Sequence, residues 1–175
     1  MFEEYLQDSY EFYKIAEKTS NERDARRYYR ASVFYAAGAI EAFVNYIADS
    51  FAKAGNLTPH EVSFLNDKTL FFSPDKGTLE TKVKFYKLED KLKFLLRKFV
   101  TGFNFNSIVW SKIIEFKNFR DSLVHPKKVE DEINLKEYKK KLRTGISSII
   151  KIMNLPSQGI FNKPLRKQLL DLIPE

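Results

Sequence analysis

The sequence predicts an all-α protein, an up-and-down bundle of four to five main helices with a long second helix and short extra helices. Apolar side chains recur at the three- and four-residue spacing that one buried face of a helix requires. Only six glycines and six prolines occur among 175 residues, which argues against a turn-rich β architecture. An apolar content of 43% at this length suits one domain, residues 1–175, with a sizeable core.

Two helices are predicted in the first third of the chain. Residues 2–18 carry apolar side chains at helical spacing, and Thr19-Ser20-Asn21-Glu22 then has the pattern of a capping box. In that motif the Thr19 hydroxyl and the Glu22 carboxylate bind free backbone amides. A long second helix over residues 20–54 follows, because its apolar stripe continues to Phe51, and Gly55 is a natural end.

Residues 55–84 are the least regular part of the sequence and are predicted to be an insertion between helices. Thr58-Pro59-His60-Glu61 is a capping sequence that predicts a short helix, and residues 73–77 have the composition of a turn. Residues 69–72 are compatible with either an extended segment or a packed loop.

Three further main helices follow the insertion. The third covers the apolar positions from Leu88 and ends near Gly102, and the fourth begins after a cap at Asn106 or Ser107. Asn134 starts the fifth, and Pro156 is expected to end it because proline lacks the amide that a helix needs. A short tail helix is predicted near residues 164–172.

The composition excludes several classes of protein and site. The absence of cysteine removes disulfides and thiolate metal sites, and two histidines argue against a multi-histidine zinc centre, so no metal site is expected. The N-terminus lacks a signal-peptide pattern, and no uninterrupted apolar run approaches the length of a membrane span. These features predict a cytoplasmic protein with no membrane contact.

The net charge of +7 is unevenly placed along the chain. Residues 1–57 hold 7 basic and 9 acidic side chains, whereas residues 58–175 hold 23 basic and 14 acidic ones. A polyanionic partner is one interpretation of the basic part. The other is that lysines keep a helical protein in solution, and composition favours this simpler interpretation.

Arg120 is the most informative residue, because it interrupts the apolar stripe of the fourth predicted helix. A guanidinium on an inward stripe must be paired, solvated in a cleft or directed at an interface. In a purely structural role it would pair with Glu41, which borders the apolar stripe of the long second helix.

His125 follows five residues later, about 140° around the helix from Arg120. Because Pro126 disfavours helical backbone at the residue before it, the helix should end there and let the imidazole turn toward Arg120. Histidine changes charge near neutral pH and arginine does not, a useful combination for phosphate chemistry. Taken alone, a histidine that ends a helix before proline is more often a satisfied cap than a catalyst.

The segment Arg120-Asp121-Ser122-Leu123-Val124-His125 resembles the signature of HEPN domains, an arginine, four to six residues and a histidine. The upstream segment Ala39-Ile40-Glu41-Ala42-Phe43-Val44-Asn45 is similar to the long second helix of that family. The resemblance covers residues 28–153, and the insertion 55–84 has no counterpart. HEPN domains are small helical bundles common in bacterial and archaeal toxin–antitoxin and defence systems.

The resemblance implies metal-independent cleavage of RNA by a homodimer, with no cofactor, and an antitoxin as a possible partner. His125 would be the general acid or base, Arg120 would neutralise charge on the phosphorane, and Asp121 would hold one of them in place. Products would carry a 2′,3′-cyclic phosphate. Lys127 and Lys128 would bind RNA phosphate, and Glu41 would support Arg120.

Two alternatives remain open on the sequence. The first is a non-catalytic HEPN-like module that binds nucleotide, RNA or a nucleotidyltransferase partner, because fold alone does not give function. The second is a structural dimer in which Arg120 and Glu41 form a buried pair. His60 is interpreted as solvent-facing, and Trp110 and the phenylalanines as core or dimer interface rather than base-stacking platforms.

Overall fold

The protein is mostly helical, as the sequence predicts. The computed structural model describes residues 1–54, 56–125 and 133–173. Within these ranges the chain forms α1 (Phe2–Lys18), α2 (Glu22–Ala54), α3 (Pro59–Leu65), β1 (Lys68–Ser73), β2 (Thr78–Val83), α4 (Leu88–Phe99), α5 (Ile108–Val124), α6 (Leu135–Phe161) and α7 (Lys167–Leu170).

Three helix starts predicted from capping residues are confirmed. The Thr58 hydroxyl and the Glu61 carboxylate form a reciprocal capping box at α3. The Ser107 hydroxyl accepts from the amide of Trp110 at α5, and the side-chain oxygen of Asn134 accepts from the amide of Glu137 at α6. These caps work locally, which is why the sequence predicts them well.

The capping box predicted at Thr19 is wrong. The Thr19 hydroxyl instead donates to the carbonyl of Ile15 at 2.7 Å and so closes the end of α1. The side chain of Asn21 accepts from the amide of Asp24 at 3.1 Å and caps α2. With only three residues between the two helices, Thr19 belongs to the end of α1 and not to the start of α2.

The insertion contains a β-hairpin that an all-α description leaves out. β1 and β2 pair antiparallel, with Leu70 opposite Thr81 and Phe72 opposite Leu79. Residues 69–72 are therefore extended, one of the two options that the sequence left open. No apolar residue of this hairpin belongs to the described core, and Phe72, Leu79 and Val83 are exposed.

Ring contacts define the directions of the long helices. Phe2 meets Phe43 and Tyr13 meets Tyr29, so α1 runs antiparallel to α2. α2 and α6 run in the same direction, because Tyr29 stacks on Tyr138 at their beginnings and Phe51 meets Phe161 at their ends.

α5 runs opposite to α6. In α5, the ring of Phe119 contacts Tyr138 near the start of α6, and the ring of Phe116 lies over Gly145 further along α6. The C-terminal end of α5, which carries the HEPN-like signature, therefore meets the beginnings of both α2 and α6.

The expectation that Pro156 ends α6 is wrong, because the helix continues through it to Phe161. The last turn is held by packing, since Phe161 contacts both Tyr46 and Phe51 of α2. The hydroxyl of Ser157 donates to the carbonyl of Met153 at 2.9 Å and supplies a hydrogen bond beside the proline. The tail helix predicted near residues 164–172 is confirmed in a shorter form, as α7.

The second helix is long and apolar enough to be compared with a membrane span. By length and composition, residues 22–53 of α2 could cross a membrane, although charged residues such as Glu41 and Asp49 interrupt its apolar runs. However, 56% of the most apolar window is buried by other parts of the protein. A core helix surrounded by its own fold meets the same criteria, so this observation is weak support for a span.

Candidate functional site

A groove of about 1170 Å³ lies where the beginnings of α2 and α6 meet the end of α5. Its lining is mostly polar and charged. The residues that line it are Arg23, Arg26, Arg30, Glu115, Asn118, Phe119, Asp121, Ser122, Leu123, His125, Ile133, Glu137, Tyr138 and Lys141.

His125 lines this groove and is exposed. α5 ends at Val124 as predicted, and the amide of His125 donates to the carbonyl of Asp121 at 2.9 Å, which caps the helix. The backbone leaves helical geometry at this residue, with φ −124° and ψ 69°. The imidazole is exposed and makes no hydrogen bond or ion pair within the described ranges, so it is accessible to a ligand.

Asp121 lines the same groove as His125 and connects it to two cations. Its carboxylate lies 3.1 Å from the Nζ of Lys117 and 3.3 Å from the Nη1 of Arg120. The expected contact between Arg120 and Asp121 is therefore present.

Arg120 itself does not line the groove. It borders a separate small depression between α2, α4 and α5, together with Ala37, Ile40 and Leu92. Its Nη2 lies 3.6 Å from the Oε1 of Glu41, so the predicted pairing of these two residues is present. Its Nε is buried and has no hydrogen-bond partner among the described residues.

Within one copy of the chain, Arg120 and His125 thus border different depressions, and no hydrogen bond joins them. The reason is helix phase. Arg120 follows the inward stripe of α5, and the irregular backbone begins only after Val124, too late to bring the imidazole back toward that stripe. The expected shared crevice is not formed by these two side chains alone.

Lys127 and Lys128, predicted to bind RNA phosphate, lie outside the described residues. The cations that line the groove come mainly from α2, where Arg23, Arg26 and Arg30 occupy one face. Sequence reasoning missed them, because averaging charge over residues 1–57 concealed their spacing of three and four residues. That spacing is the signal that could have found them.

The acidic residues of the groove are already paired with lysines. Glu115 lies 2.7 Å from Lys112, and Glu137 lies 3.6 Å from Lys141. The pKa of Glu115 is lowered, first by the hydrogen bond from Lys112. Together with the pairing of Asp121, these contacts leave no carboxylate of the described lining without a cation.

Two arginines of the groove have no such partner. Arg23 and Arg30 are exposed and form no ion pair with the residues that the structure describes, whereas Arg26 pairs with Glu22 at 2.7 Å. The groove therefore offers a positive field to an anion.

Tyr138 forms the floor between these groups. Its ring stacks on Tyr29 at 5.9 Å and meets the edge of Phe119 at 5.5 Å. Burial raises the pKa of Tyr138, and the charges of Arg30 and Arg26 act against that shift. The phenol therefore stays protonated at neutral pH and can donate a hydrogen bond.

The remaining sequence interpretations concern residues away from the groove. His60 is exposed at the start of α3, as expected, and Trp110 is buried in the core with Phe116 and Phe119. Across residues 1–54, 56–125 and 133–173, no group of three or more His, Asp or Glu side chains could hold a metal ion.

The groove can bind an anion through arginine and present an imidazole to it, which is the equipment of acid–base chemistry at a phosphate. Comparisons of the chain with protein-family models, with curated proteins and with solved structures each found no match.

Proposed function

We propose that this chain is a HEPN-type domain, an up-and-down bundle built on α1, α2, α5 and α6, that cleaves RNA without a metal ion. One observation carries the proposal: His125, Asp121 and three arginines line a single groove. The HEPN-like signature contributes Asp121 and His125 to the groove, and α2 adds the arginines, which are not part of the signature.

In the proposed reaction a ribose 2′-oxygen attacks the adjacent phosphorus while the bond from phosphorus to the 5′-oxygen breaks. One proton leaves the 2′-hydroxyl and one reaches the departing 5′-oxygen, which gives a 2′,3′-cyclic phosphate and a 5′-hydroxyl. His125 makes one of these transfers, as acceptor of the 2′-hydroxyl proton or as donor to the 5′-oxygen, and water makes the other. Such a transfer contributes about 10²–10⁴-fold to the rate.

The roles that we assign to Arg120 and to the arginines of α2 differ from those that the resemblance implies. Since Arg120 contacts Asp121 and Glu41 and lies outside the groove, we assign it a positioning role on Asp121. Charge on the phosphorane is then neutralised by arginines of α2 that line the groove. A second copy of the chain, placed about a two-fold axis, would add its own groove to the site.

The wider proposal follows the resemblance. The protein acts as a homodimer in the cytoplasm, takes RNA as its substrate, and has an antitoxin as a partner if it is the toxin of a pair. Sedimentation velocity of the purified chain tests the dimer, and a species with the mass of one 20.6 kDa chain at micromolar concentration contradicts it.

The second candidate function is a non-catalytic module that binds RNA, a nucleotide or a nucleotidyltransferase partner. A specific observation favours it: the signature arginine pairs with Glu41 instead of entering the groove that contains His125. Such a module would keep the positive groove and lose the cleavage.

The deciding experiment incubates the protein with mixed RNA in excess EDTA. We expect the parent to produce fragments with 2′,3′-cyclic phosphate ends and His125→Ala to produce none. His60→Ala is the matched control, because it removes the other exposed histidine of the chain at a site outside the groove.

Three outcomes separate the candidates. Cleavage that His125→Ala abolishes and His60→Ala retains supports the nuclease. RNA binding without cleavage, unchanged in His125→Ala, supports the module. Cleavage that survives His125→Ala contradicts the proposed role of this residue and identifies a contaminating ribonuclease or another site.

A further inference from the structure

We infer that the groove binds single-stranded RNA along the first half of α2, with backbone phosphates on Arg23 and Arg30 and a base stacked on Phe34. This inference takes RNA as the ligand from the proposed function, but it requires binding only and no cleavage.

Helix geometry places these three residues on one face of α2. Seven residues separate Arg23 from Arg30, which is about 20° from two full turns and about 10 Å along the axis. Phe34 lies one turn further, about 40° around from Arg30. Successive phosphates of a stacked strand rise about 3.4 Å, so the distance between the arginines corresponds to about three nucleotides.

The charges of the groove favour a polyanion over a single small anion. Arg23 and Arg30 are both exposed and lack an acidic partner in the described part of the chain, whereas the carboxylates of Glu115, Asp121 and Glu137 are each paired with a lysine. Two separate cations along one helix suit consecutive phosphates of a chain.

Phe34 supplies the aromatic surface. It is 43% exposed in the middle of a helix whose other large apolar residues are mostly buried, and it makes no ring contact with a described aromatic residue. A cationic track beside an exposed aromatic ring is how proteins bind single strands, because every base has a face that can stack.

A duplex cannot make the same set of contacts, because these include a base stacked on Phe34, which lies beyond the groove lining. A volume of about 1170 Å³ is close to that of a small-molecule site and holds a few nucleotides. In a duplex the bases are already stacked and paired, so none could reach the Phe34 ring.

The test measures fluorescence anisotropy of a labelled 12-nucleotide RNA with the full chain carrying His125→Ala, so that binding is recorded without cleavage. The same strand annealed to its complement is the duplex probe. We expect the single strand to bind at least tenfold more tightly than the duplex.

The double variant Arg23→Gln/Arg30→Gln should weaken single-strand binding at least tenfold. It should also reduce the slope of log affinity against log salt by about 1.4, which is the loss of two phosphate contacts to a single strand. The matched control is Lys53→Gln/Lys151→Gln, which removes the same charge from exposed positions of α2 and α6 outside the groove, and it should weaken binding less than twofold.

Phe34→Ala should weaken binding about fivefold or more and leave the salt slope unchanged, because stacking releases no counterions. Phe85→Ala, which removes a more exposed ring on the segment after β2, is its control and should have no effect. Circular dichroism of each variant verifies that the helices are intact.

Equal affinity for the duplex, arginine variants that behave like their lysine control, or no RNA binding at all would each overturn the inference. Failure of the proposed function is a different result. If RNA binds with these dependences but the parent does not cleave it, the nuclease proposal fails and the binding site stands. If the parent cleaves with kcat and KM unchanged in Arg23→Gln/Arg30→Gln, the binding site fails together with the role assigned to these two arginines, and the cleavage that depends on His125 stands.

Discussion

At the residue scale, Arg120 illustrates how one side chain can look catalytic and still have a structural environment. It interrupts an apolar stripe, pairs with the half-exposed Glu41, and keeps a buried Nε without a hydrogen-bond partner in the described structure. An unsatisfied buried donor of this kind costs about 1–3 kcal/mol. We therefore expect this guanidinium to contribute little to the free energy of unfolding.

We expect the free energy of unfolding of Arg120→Met to lie within about 1 kcal/mol of the parent's or above it. The reason is that a thioether fills the same space without an unsatisfied donor. Glu41→Gln should change the free energy of unfolding by less than about 1 kcal/mol, since an exposed pair contributes little. Urea denaturation measures both. A loss of about 3 kcal/mol or more in Arg120→Met would identify a tightly coupled buried pair instead.

A second residue-scale feature is the pair that holds the hairpin to α4. The Nζ of Lys91, almost fully buried, donates to Asp67 at 2.7 Å, and the amide of Tyr86 donates to the same carboxylate at 2.8 Å. Asp67 has a left-handed backbone with φ 56°, which aspartate and asparagine tolerate better than other residues with a Cβ.

The pair of Asp67 and Lys91 makes the free energy of unfolding depend on pH. Burial raises the pKa of Asp67, but the hydrogen bonds from Lys91 and Tyr86 and the charge of Lys91 outweigh it, so the pKa lies below its ordinary value of 3.8. As pH falls below about 4, the unfolded chain takes up this proton before the folded one does. The contribution of the pair is therefore present above that pH and is lost as pH falls through the lowered pKa.

We expect Asp67→Asn to lower the free energy of unfolding at pH 7 by about 1–3 kcal/mol, because it leaves the Lys91 ammonium buried without a counter-charge. The asparagine keeps the backbone geometry and an acceptor for Tyr86. The difference from the parent should shrink between pH 4 and pH 2 in urea titrations. Asp67→Asn/Lys91→Met should recover part of the loss at pH 7, and no recovery would show that the charge of Lys91 is not the cause.

At the element scale, α6 depends on glycines where other elements approach it closely. A Cβ on Gly159 would overlap the backbone carbonyl of Phe99 at the end of α4, and one on Gly145 would overlap the ring of Phe116 in α5. Gly38 of α2 differs, because its added Cβ would lie 3.3 Å from the ring of the partly exposed Tyr5, which can move.

Gly159→Ala should therefore lower the free energy of unfolding by about 1–3 kcal/mol, despite the better helix propensity of alanine, since backbone cannot shift cheaply. Gly38→Ala is the matched control in another helix and should raise the free energy of unfolding by up to about 1 kcal/mol. Thermal denaturation compares the two. If Gly159→Ala were as stable as Gly38→Ala, that result would contradict the close contact between α4 and α6 at this position.

At the scale of the whole molecule, the hairpin and the groove are separate structures. No residue of β1 or β2 lines the groove or belongs to the described apolar core, and the outer face of the hairpin exposes Phe72 and Leu79. Because Lys68 is paired with Val83 in the ladder, a two-residue turn can connect these positions.

Replacing residues 69–82 with Asn-Gly should leave the helical circular dichroism and cooperative unfolding intact. It should keep single-strand RNA affinity within about twofold of the parent and improve solubility, because an exposed apolar face is removed. Anisotropy and light scattering measure these quantities. A tenfold loss of affinity would show that the hairpin takes part in binding.

The sequence by itself determined the local structure of this protein. The helical periods, the caps at Thr58, Ser107 and Asn134, and the end of α5 before Pro126 all depend on residues a few positions apart. The boundaries predicted at Thr19 and Pro156 are wrong, because the first depends on which of two helices binds the Thr19 hydroxyl and the second on the packing of Phe161.

Only the tertiary structure decided which side chains share a site. Arg23 and Arg30 lie about a hundred residues before His125, and the antiparallel course of α5 against α2 and α6 brings them to one groove. It also separates Arg120 from His125, although the two are only five positions apart. The reason is that each side chain faces the direction that helix phase gives to its own position. Proximity in sequence fixes a position along a helix, whereas the packing of three helices fixes which of their faces enclose the same space.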